Sequence, residues 1–183
     1  MKLFLLSLIA LFGVSAMASA SDDAAAILIS VRDQKLALFE NGVQVAQYPV
    51  STSRYGIGDR FGSYATPVGA MEVARKIGDG RPLGSVFHDR RPTGEILRPN
   101  APGRDPIVTR IIWLRGLESA TRNAFARGIY IHGTPVERQI GRPASYGCVR
   151  MRSRDVAELY SRVDVGTHVE ITPGSMPRSY AGL

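Results

Sequence analysis

The fold is decided by residues 27–50, which read ILISVRDQKLALFENGVQVAQYPV. Apolar residues alternate along this stretch, so that each predicted strand has one apolar face. Asn41-Gly42 lies between two alternating runs, and this dipeptide is favoured in two-residue turns that need positive φ at both positions. The pattern predicts a β-meander with a hairpin over residues 36–45, and Pro49 is expected to end or edge its last strand.

Strands dominate the remainder of the chain. Short apolar strands are predicted near Met71 and Val73 and at residues 111–114, 129–132 and 167–171. Residues 118–127 have a weakly helical pattern. A more regular helix is predicted behind Ser153 as N-cap, with apolar residues at helical spacing and Gly166 as its end; these residues are Val156, Leu159, Tyr160 and Val163.

Two long stretches lack apolar periodicity. Residues 51–69 are rich in Gly, Ser, Thr and Tyr, which predicts a surface loop. Residues 78–106 are rich in Gly and Pro, and loops of this length in a compact domain are usually functional or disordered. We expect residues 78–106 to face a substrate and residues 173–183 to form a mobile tail.

The N-terminus has the order of a secretory signal peptide. Met1-Lys2 precedes an apolar run over residues 3–14 and then the small residues Ala18-Ser19-Ala20. The run is shorter than the roughly 20 residues of a membrane span. We predict cleavage after Ala20, with an uncleaved anchor as the alternative. Residues 1–20 are thus a predicted signal peptide and residues 21–183 a single exported domain.

The net charge and the cysteine content limit the classes of partner and of chemistry that this chain is expected to have. The net charge of +7 favours anionic partners. Nucleic acid is not expected, because of the export signal and because arginines are spread along the chain rather than grouped with aromatic residues. Exported proteins usually pair their cysteines, yet Cys148 is the only one here. It is either an inert buried thiol or a reactive group.

Two short segments favour a reactive thiol. They read YIHGT (residues 130–134) and SYGCVRM (residues 145–151), and sixteen positions separate His132 from Cys148. An ordinary thiol is only a few per cent ionised at neutral pH, so a nucleophilic cysteine needs a nearby imidazole or a positive helix end. Gly147 allows a tight turn in which neighbouring N–H groups point to one spot, as in an oxyanion hole.

These segments resemble the L,D-transpeptidase catalytic domain, the YkuD family. The resemblance covers about residues 27–171, including the opening meander and the segments 66–69 and 110–114. It implies a β-sandwich or open barrel of mixed strands with one or two short helices. It also implies that Cys148 is the nucleophile, that His132 is its general base and that the Gly133 carbonyl orients the imidazole. The N–H groups of Gly147 and Cys148 are the implied oxyanion hole.

The resemblance implies a substrate-binding role for Ser145, Tyr146 and Arg150. Arg150 is expected either to hold a substrate carboxylate or to brace the loop. The family usually has histidine where this chain has Tyr146. A phenol with a pKa near 10 donates hydrogen bonds but is not a base at neutral pH, so this difference bears on specificity more than on activity.

The implied activity is acyl transfer on peptidoglycan stem tetrapeptides in the periplasm or cell wall. D-alanine leaves, and the acyl group passes to an amine of another stem, forming a three-to-three crosslink, or to an outer-membrane lipoprotein. With water as acceptor the protein is an L,D-carboxypeptidase. Hydrolysis of lipoprotein–peptidoglycan linkages and non-catalytic wall binding are the other readings.

No cofactor or metal is expected. One cysteine and scattered histidines, His88 and His168 among them, lack the ligand spacing of a zinc site. We assign no role to His88 or His168. We expect a monomer whose partners are stem peptides.

Overall fold

The computed structural model describes residues 25–176. The predicted signal peptide and residues 177–183 of the predicted tail lie outside this range. Over the described residues there are ten strands, one 3₁₀ turn and one α-helix. They are β1 (Ala26–Ser30), β2 (Lys35–Glu40), β3 (Val43–Pro49), β4 (Gly69–Ile77), β5 (Ser85–His88), β6 (Arg91–Ile96), β7 (Ile107–Gly116), β8 (Tyr130–Gly133), the 3₁₀ turn Glu137–Gln139, β9 (Val149–Met151), α1 (Ser153–Arg162) and β10 (His168–Thr172).

All ten strands belong to one mixed sheet. The strand order runs β3-β2-β1-β10-β4-β7, after which β7 pairs both with β8, followed by β9, and with the β5–β6 hairpin. The pairs β1/β10 and β8/β9 are parallel. The sheet curls until Ser51, just after β3, forms an antiparallel bridge with Arg150 in β9. The predicted mainly β, open-barrel architecture of mixed strands is therefore confirmed.

The core fills the interior of the curled sheet. Its largest cluster joins inward residues of the strands to the apolar face of α1, whose Val156, Leu159 and Tyr160 are buried as predicted. No helix among residues 25–176 is long and apolar enough to cross a membrane.

The opening meander is confirmed. β1, β2 and β3 pair antiparallel, and β3 ends at Pro49. Asn41 and Gly42 have φ values of 53° and 72°, the left-handed conformation that a two-residue turn of this type requires. A bulge interrupts the hairpin between Leu38 and Phe39.

Two helical predictions were wrong. Residues 118–127 form successive turns rather than a helix, with hydrogen bonds that close rings of different sizes, such as Thr121 N–H to the Glu118 carbonyl and Arg127 N–H to the Asn123 carbonyl. Ser153 is the first residue of α1 and not its cap. Its N–H donates to the carboxylate of Glu137, 2.9 Å away, so a distant side chain supplies the capping acceptor.

The predicted loops are more ordered than expected. Residues 78–106 contain the β5–β6 hairpin, although most of β6 is exposed. Residues 51–69 are irregular, but Ser51, Thr52 and Ser53 are buried rather than on the surface, because this segment bridges to β9 and to the residues before it.

The predicted mobile tail is docked at its start. The Ser30 hydroxyl donates to the Gly174 carbonyl at 2.6 Å, and the Met176 N–H donates to Asp33 at 2.7 Å. Met176 also packs on the outer face of β1 and β2, against Leu28 and Phe39. Residues 173–176 are therefore in contact with the domain, and the mobility of the tail stays a prediction.

A buried ion pair fastens residues 51–69 to the turns before β8. Asp59 and Arg127 lie 3.0 Å apart, with side-chain exposures of 8% and 6%. Arg127 also donates to the carbonyls of Gly58 and Ala65, and Asp59 accepts the Asn123 N–H. These hydrogen bonds lie within or between the two segments, so the pair fixes their relative position.

Asp59→Asn leaves the Arg127 charge buried without its partner. We expect the free energy of unfolding, measured by urea denaturation, to fall by about 3 kcal/mol or more. The matched control is Glu95→Gln, which removes the half-exposed partner of Arg104 and is expected to change stability by less than about 1 kcal/mol. Equal effects of the two substitutions contradict the anchoring role.

Candidate active site

The parallel pairing of β8 with β9 brings together the two segments that carry the predicted reactive residues. Ile131 pairs with Val149 and His132 with Arg150. Cys148 directly precedes β9, two residues before the partner of His132. The segments that are sixteen positions apart in sequence therefore lie side by side.

The His132 ring has a defined tautomer. Its Nδ1 lies 2.8 Å from the carbonyl oxygen of Gly133, the contact that the family resemblance implies. A carbonyl only accepts hydrogen bonds, so Nδ1 carries the proton and Nε2 is left as an acceptor. The pKa of His132 is lowered to about 4, chiefly because the side chain is buried. Arg150 acts in the same direction, and the Gly133 carbonyl and Asp105 act in the opposite direction.

Gly133 has no room for a side chain. A Cβ atom here lies 2.6 Å from the Val108 carbonyl oxygen and 3.2 Å from a methyl group of Val156 in α1. The neighbouring Thr109 is in the bulge of β7 and has a φ of 71°, a conformation that β-branched residues rarely adopt. The close packing of β7 and α1 on Gly133 fixes the carbonyl that orients the imidazole.

The Cys148 thiol is half-buried beside Phe87, Ile111 and Tyr130. It donates a hydrogen bond to the Gly128 carbonyl, with sulfur and oxygen 3.4 Å apart. Burial raises the pKa of Cys148 to about 11, although the Tyr130 backbone and nearby positive charges favour the thiolate. At rest the site therefore holds a neutral thiol and a neutral imidazole.

Ser145 holds the turn before Cys148. Its hydroxyl donates to the Cys148 carbonyl at 2.6 Å and accepts the Gly147 N–H at 3.2 Å. Gly147 has a φ of 119°, which favours glycine, and its carbonyl accepts the Thr66 hydroxyl. Ser145 is buried and braces the turn, so its predicted contact with substrate does not fit. The Gly147 N–H is also engaged, which leaves the Cys148 N–H as the predicted oxyanion donor.

Arg150 is a buried brace. Its guanidinium forms an ion pair with Asp105 and donates to the Gln139 side chain at 3.1 Å. Asp105 in turn accepts the Thr134 hydroxyl at 2.5 Å. Of the two expected roles, bracing matches these contacts, and capture of a substrate carboxylate does not. Sequence reasoning missed Asp105, because no local signal links it to a residue 45 positions away.

Tyr146 faces an open cavity with Cys148. The cavity is also lined by Phe61 and Tyr64 from residues 51–69 and by the turn before β8, including Arg127 and Gly128. These residues were not identified as site residues from the sequence. Within residues 25–176, no three histidine, cysteine or carboxylate side chains are grouped so that they could hold a metal ion.

Comparison with known proteins identifies relatives. Residues 24–171 match the family model for the L,D-transpeptidase catalytic domain. The chain is 31% identical over 153 residues to the probable L,D-transpeptidase YcfS of Escherichia coli, covering 79% of this chain and 43% of that protein. It is 56% identical over 81 residues to the putative L,D-transpeptidase YkuD of Bacillus licheniformis, covering 44% of this chain and 49% of that protein. The chain thus spans less than half the length of these curated relatives.

Solved structures share the fold. L,D-transpeptidase 3 from Mycobacterium tuberculosis, in complex with a faropenem-derived adduct, aligns with a TM-score of 0.53 at 20% identity over 81% of this chain and 60% of that one. An L,D-transpeptidase from Xylanimonas cellulosilytica aligns with a TM-score of 0.53 at 19% identity, over 84% of this chain and 63% of that one.

His132 makes stability depend on pH. Its pKa is about 4 in the folded protein and 6.5 when unperturbed, so between these values only the unfolded chain binds the proton. The free energy of unfolding therefore falls as pH falls through this window, by about 3 kcal/mol for this shift. We expect the stability difference between wild type and His132→Gln, from urea denaturation, to fall by about that amount between pH 7 and pH 4. A difference that does not change with pH contradicts the neutral buried imidazole.

The Cys148 thiol is expected to react slowly with iodoacetamide at neutral pH, because a pKa of about 11 leaves little thiolate. At pH 7.4 alkylation of the folded protein should be about 100-fold slower than that of the same protein unfolded in urea, and should rise about tenfold per pH unit up to pH 10. Mass spectrometry follows the reaction. A rate that levels off near pH 8 contradicts the neutral resting thiol.

Proposed function

The chain belongs to the family of L,D-transpeptidase catalytic domains, and from this membership we propose that it is an exported cysteine acyltransferase of peptidoglycan. The proposed donor is a stem tetrapeptide, and the proposed nucleophile is Cys148. The reaction cleaves the bond between the third residue and the terminal D-alanine and transfers the acyl group to an amine.

The observation that supports this proposal is that His132 lies on β8, which pairs with β9 directly after Cys148. The imidazole is buried, oriented by the Gly133 carbonyl and unprotonated at Nε2. An inert structural thiol needs no such neighbour. A neutral imidazole with a fixed tautomer is suited to accept one proton and return it.

In the first step, the thiol leaves the Gly128 carbonyl and passes its proton to Nε2 of His132 as sulfur attacks the substrate carbonyl. The Cys148 N–H stabilises the oxyanion. The imidazolium then protonates the departing amine as the C–N bond breaks, which leaves a thioester on Cys148 and free D-alanine.

In the second step, an acceptor amine attacks the thioester, and His132 removes its proton and returns it to the sulfur. An amine of a second stem gives a three-to-three crosslink, and a lipoprotein amine gives a wall-anchored protein. Both outcomes share one acyl-enzyme, so the motif residues do not select between them.

The proposed site of action is the periplasm or cell wall. It is supported by the order of charged, apolar and small residues over residues 1–20, which is typical of a secretory signal peptide. The proposed substrates are consistent with this compartment.

Two substitutions test the catalytic pair. With disaccharide tetrapeptides as substrate, we expect Cys148→Ala to abolish product and His132→Gln to lower kcat/KM by about 100-fold or more, the usual contribution of a general base. The matched control is His168→Gln, which alters a half-buried histidine in β10 and should retain activity. Product masses are followed by liquid chromatography and mass spectrometry.

The products also identify the acceptor. Three-to-three dimers support transpeptidation, whereas tripeptide alone means that water is the acceptor. Intact-protein mass after exposure to faropenem, the source of the adduct in the mycobacterial relative, gives a second test of the nucleophile. A wild-type protein that gains no mass and forms no product contradicts the proposed function.

A further inference from the structure

Three exposed tyrosines form a cluster at the mouth of the Cys148 cavity. The ring centres of Tyr55, Tyr64 and Tyr146 lie 5.5 to 6.0 Å apart in each pair. The exposed fractions of the three residues are 52%, 56% and 58%, so each residue keeps about half of its surface open to solvent. Contiguous exposed aromatic surface is unusual on a soluble domain and commonly marks a binding site. We refer to these residues as the tyrosine cluster.

A buried network holds the cluster in place. The Ser53 hydroxyl donates to the Tyr64 carbonyl at 2.5 Å and accepts the Tyr55 N–H at 2.9 Å. Thr66 accepts the Ser53 N–H and donates to the Gly147 carbonyl, each at 3.0 Å. The loop that carries two tyrosines is thereby tied to the turn that carries the third. A ligand therefore meets a preorganised surface and does not have to order it.

The charge beside the cluster limits the chemistry of its ligand. The Arg54 guanidinium lies 5.1 Å from the centre of the Tyr146 ring, and it also donates to the Ala144 carbonyl. This fixed positive charge disfavours an ammonium group, so the cluster is not a cage for cations. A neutral or anionic ligand is favoured.

A pyranose sugar matches the remaining features. Tyrosine presents an apolar face with negative electron density and a polar hydroxyl at its tip. A sugar ring presents C–H groups on its faces, polarised by the neighbouring oxygens, and hydroxyl or amide groups at its edge. The faces of the sugar can stack on the tyrosine rings, while the groups at its edge form hydrogen bonds with the tyrosine hydroxyls and with Arg54.

The position of the cluster fits the geometry of a stem peptide. Tyr64 and Tyr146 line the cavity that contains Cys148, and the Tyr55 ring centre lies 5.5 Å from that of Tyr146. Three extended residues span roughly 10 Å. A stem whose third carbonyl reaches Cys148 therefore places its sugar-linked end within reach of the cluster.

We propose that the tyrosine cluster is a saccharide subsite, which binds a sugar ring of the glycan strand to which the donor stem is attached. This inference rests on the proposed function, since it assumes that stem peptides are the donors. It narrows the substrate to stems that are still linked to glycan.

The first test compares two substrates. We expect wild type to use disaccharide tetrapeptide with a kcat/KM at least about tenfold above that of the free tetrapeptide, mainly through KM, and Tyr55→Ala to lose most of this advantage. Tyr55 is chosen because it does not line the cavity with Cys148. The control Val165→Ala removes exposed apolar surface in the turn after α1 and should keep the advantage. A wild-type ratio near one, or a ratio unchanged by Tyr55→Ala, overturns the proposal.

The second test does not depend on turnover. Peptide-free glycan chains are titrated into Cys148→Ala protein while the tyrosine ring signals are followed by NMR. We expect these signals to shift, and the binding to weaken at least about fivefold in Cys148→Ala/Tyr55→Ala. Shifts with free tetrapeptide but not with glycan overturn the subsite. Glycan binding without turnover by wild type leaves the subsite standing and contradicts the proposed function instead.

Discussion

The site depends on the backbone pairing of Ser51 with Arg150. Each residue donates its N–H to the other's carbonyl at 2.9 Å. β9 has only three residues, and without this bridge one of its edges has no neighbour. The same two segments stay paired beyond this bridge, because the Ala144 N–H donates to the Thr52 carbonyl at 2.9 Å. Since Cys148 directly precedes β9, the closure of the curled sheet sets the position of the thiol relative to β8 and His132.

Charge balance around the thiol is the second constraint. Arg127 and Arg150 are both buried, and each is neutralised by a carboxylate from a distant segment, Asp59 or Asp105. Both guanidinium groups favour the thiolate, and Arg150 also opposes protonation of the imidazole. Burial is the larger effect on each group, so the pKa of Cys148 is raised and that of His132 is lowered. The thiol and the imidazole are therefore both neutral near pH 7.

Local signals allowed much of the fold to be predicted from the sequence, while the reactivity of Cys148 and His132 stays a prediction. Asn41-Gly42 specifies its turn through φ, and the apolar spacing of α1 specifies its buried face. The helical prediction for residues 118–127 failed because this segment is shaped by contacts with Asp59, which local propensity does not report. Asp59 and Arg127 are 68 positions apart, so no pattern along the chain reveals their pairing.

Tyr146 belongs both to the cavity that contains Cys148 and to the exposed tyrosine cluster. The family usually has a histidine at this position, which adds a titratable group next to Arg54. Tyrosine keeps an aromatic ring there, and this ring packs against Tyr55 and Tyr64. The Thr66 hydroxyl bonds to the Gly147 carbonyl, so the loop that carries those tyrosines also braces the turn before Cys148. A displacement of this loop therefore moves the turn before Cys148. The position of the thiol is in this way coupled to the tyrosine cluster.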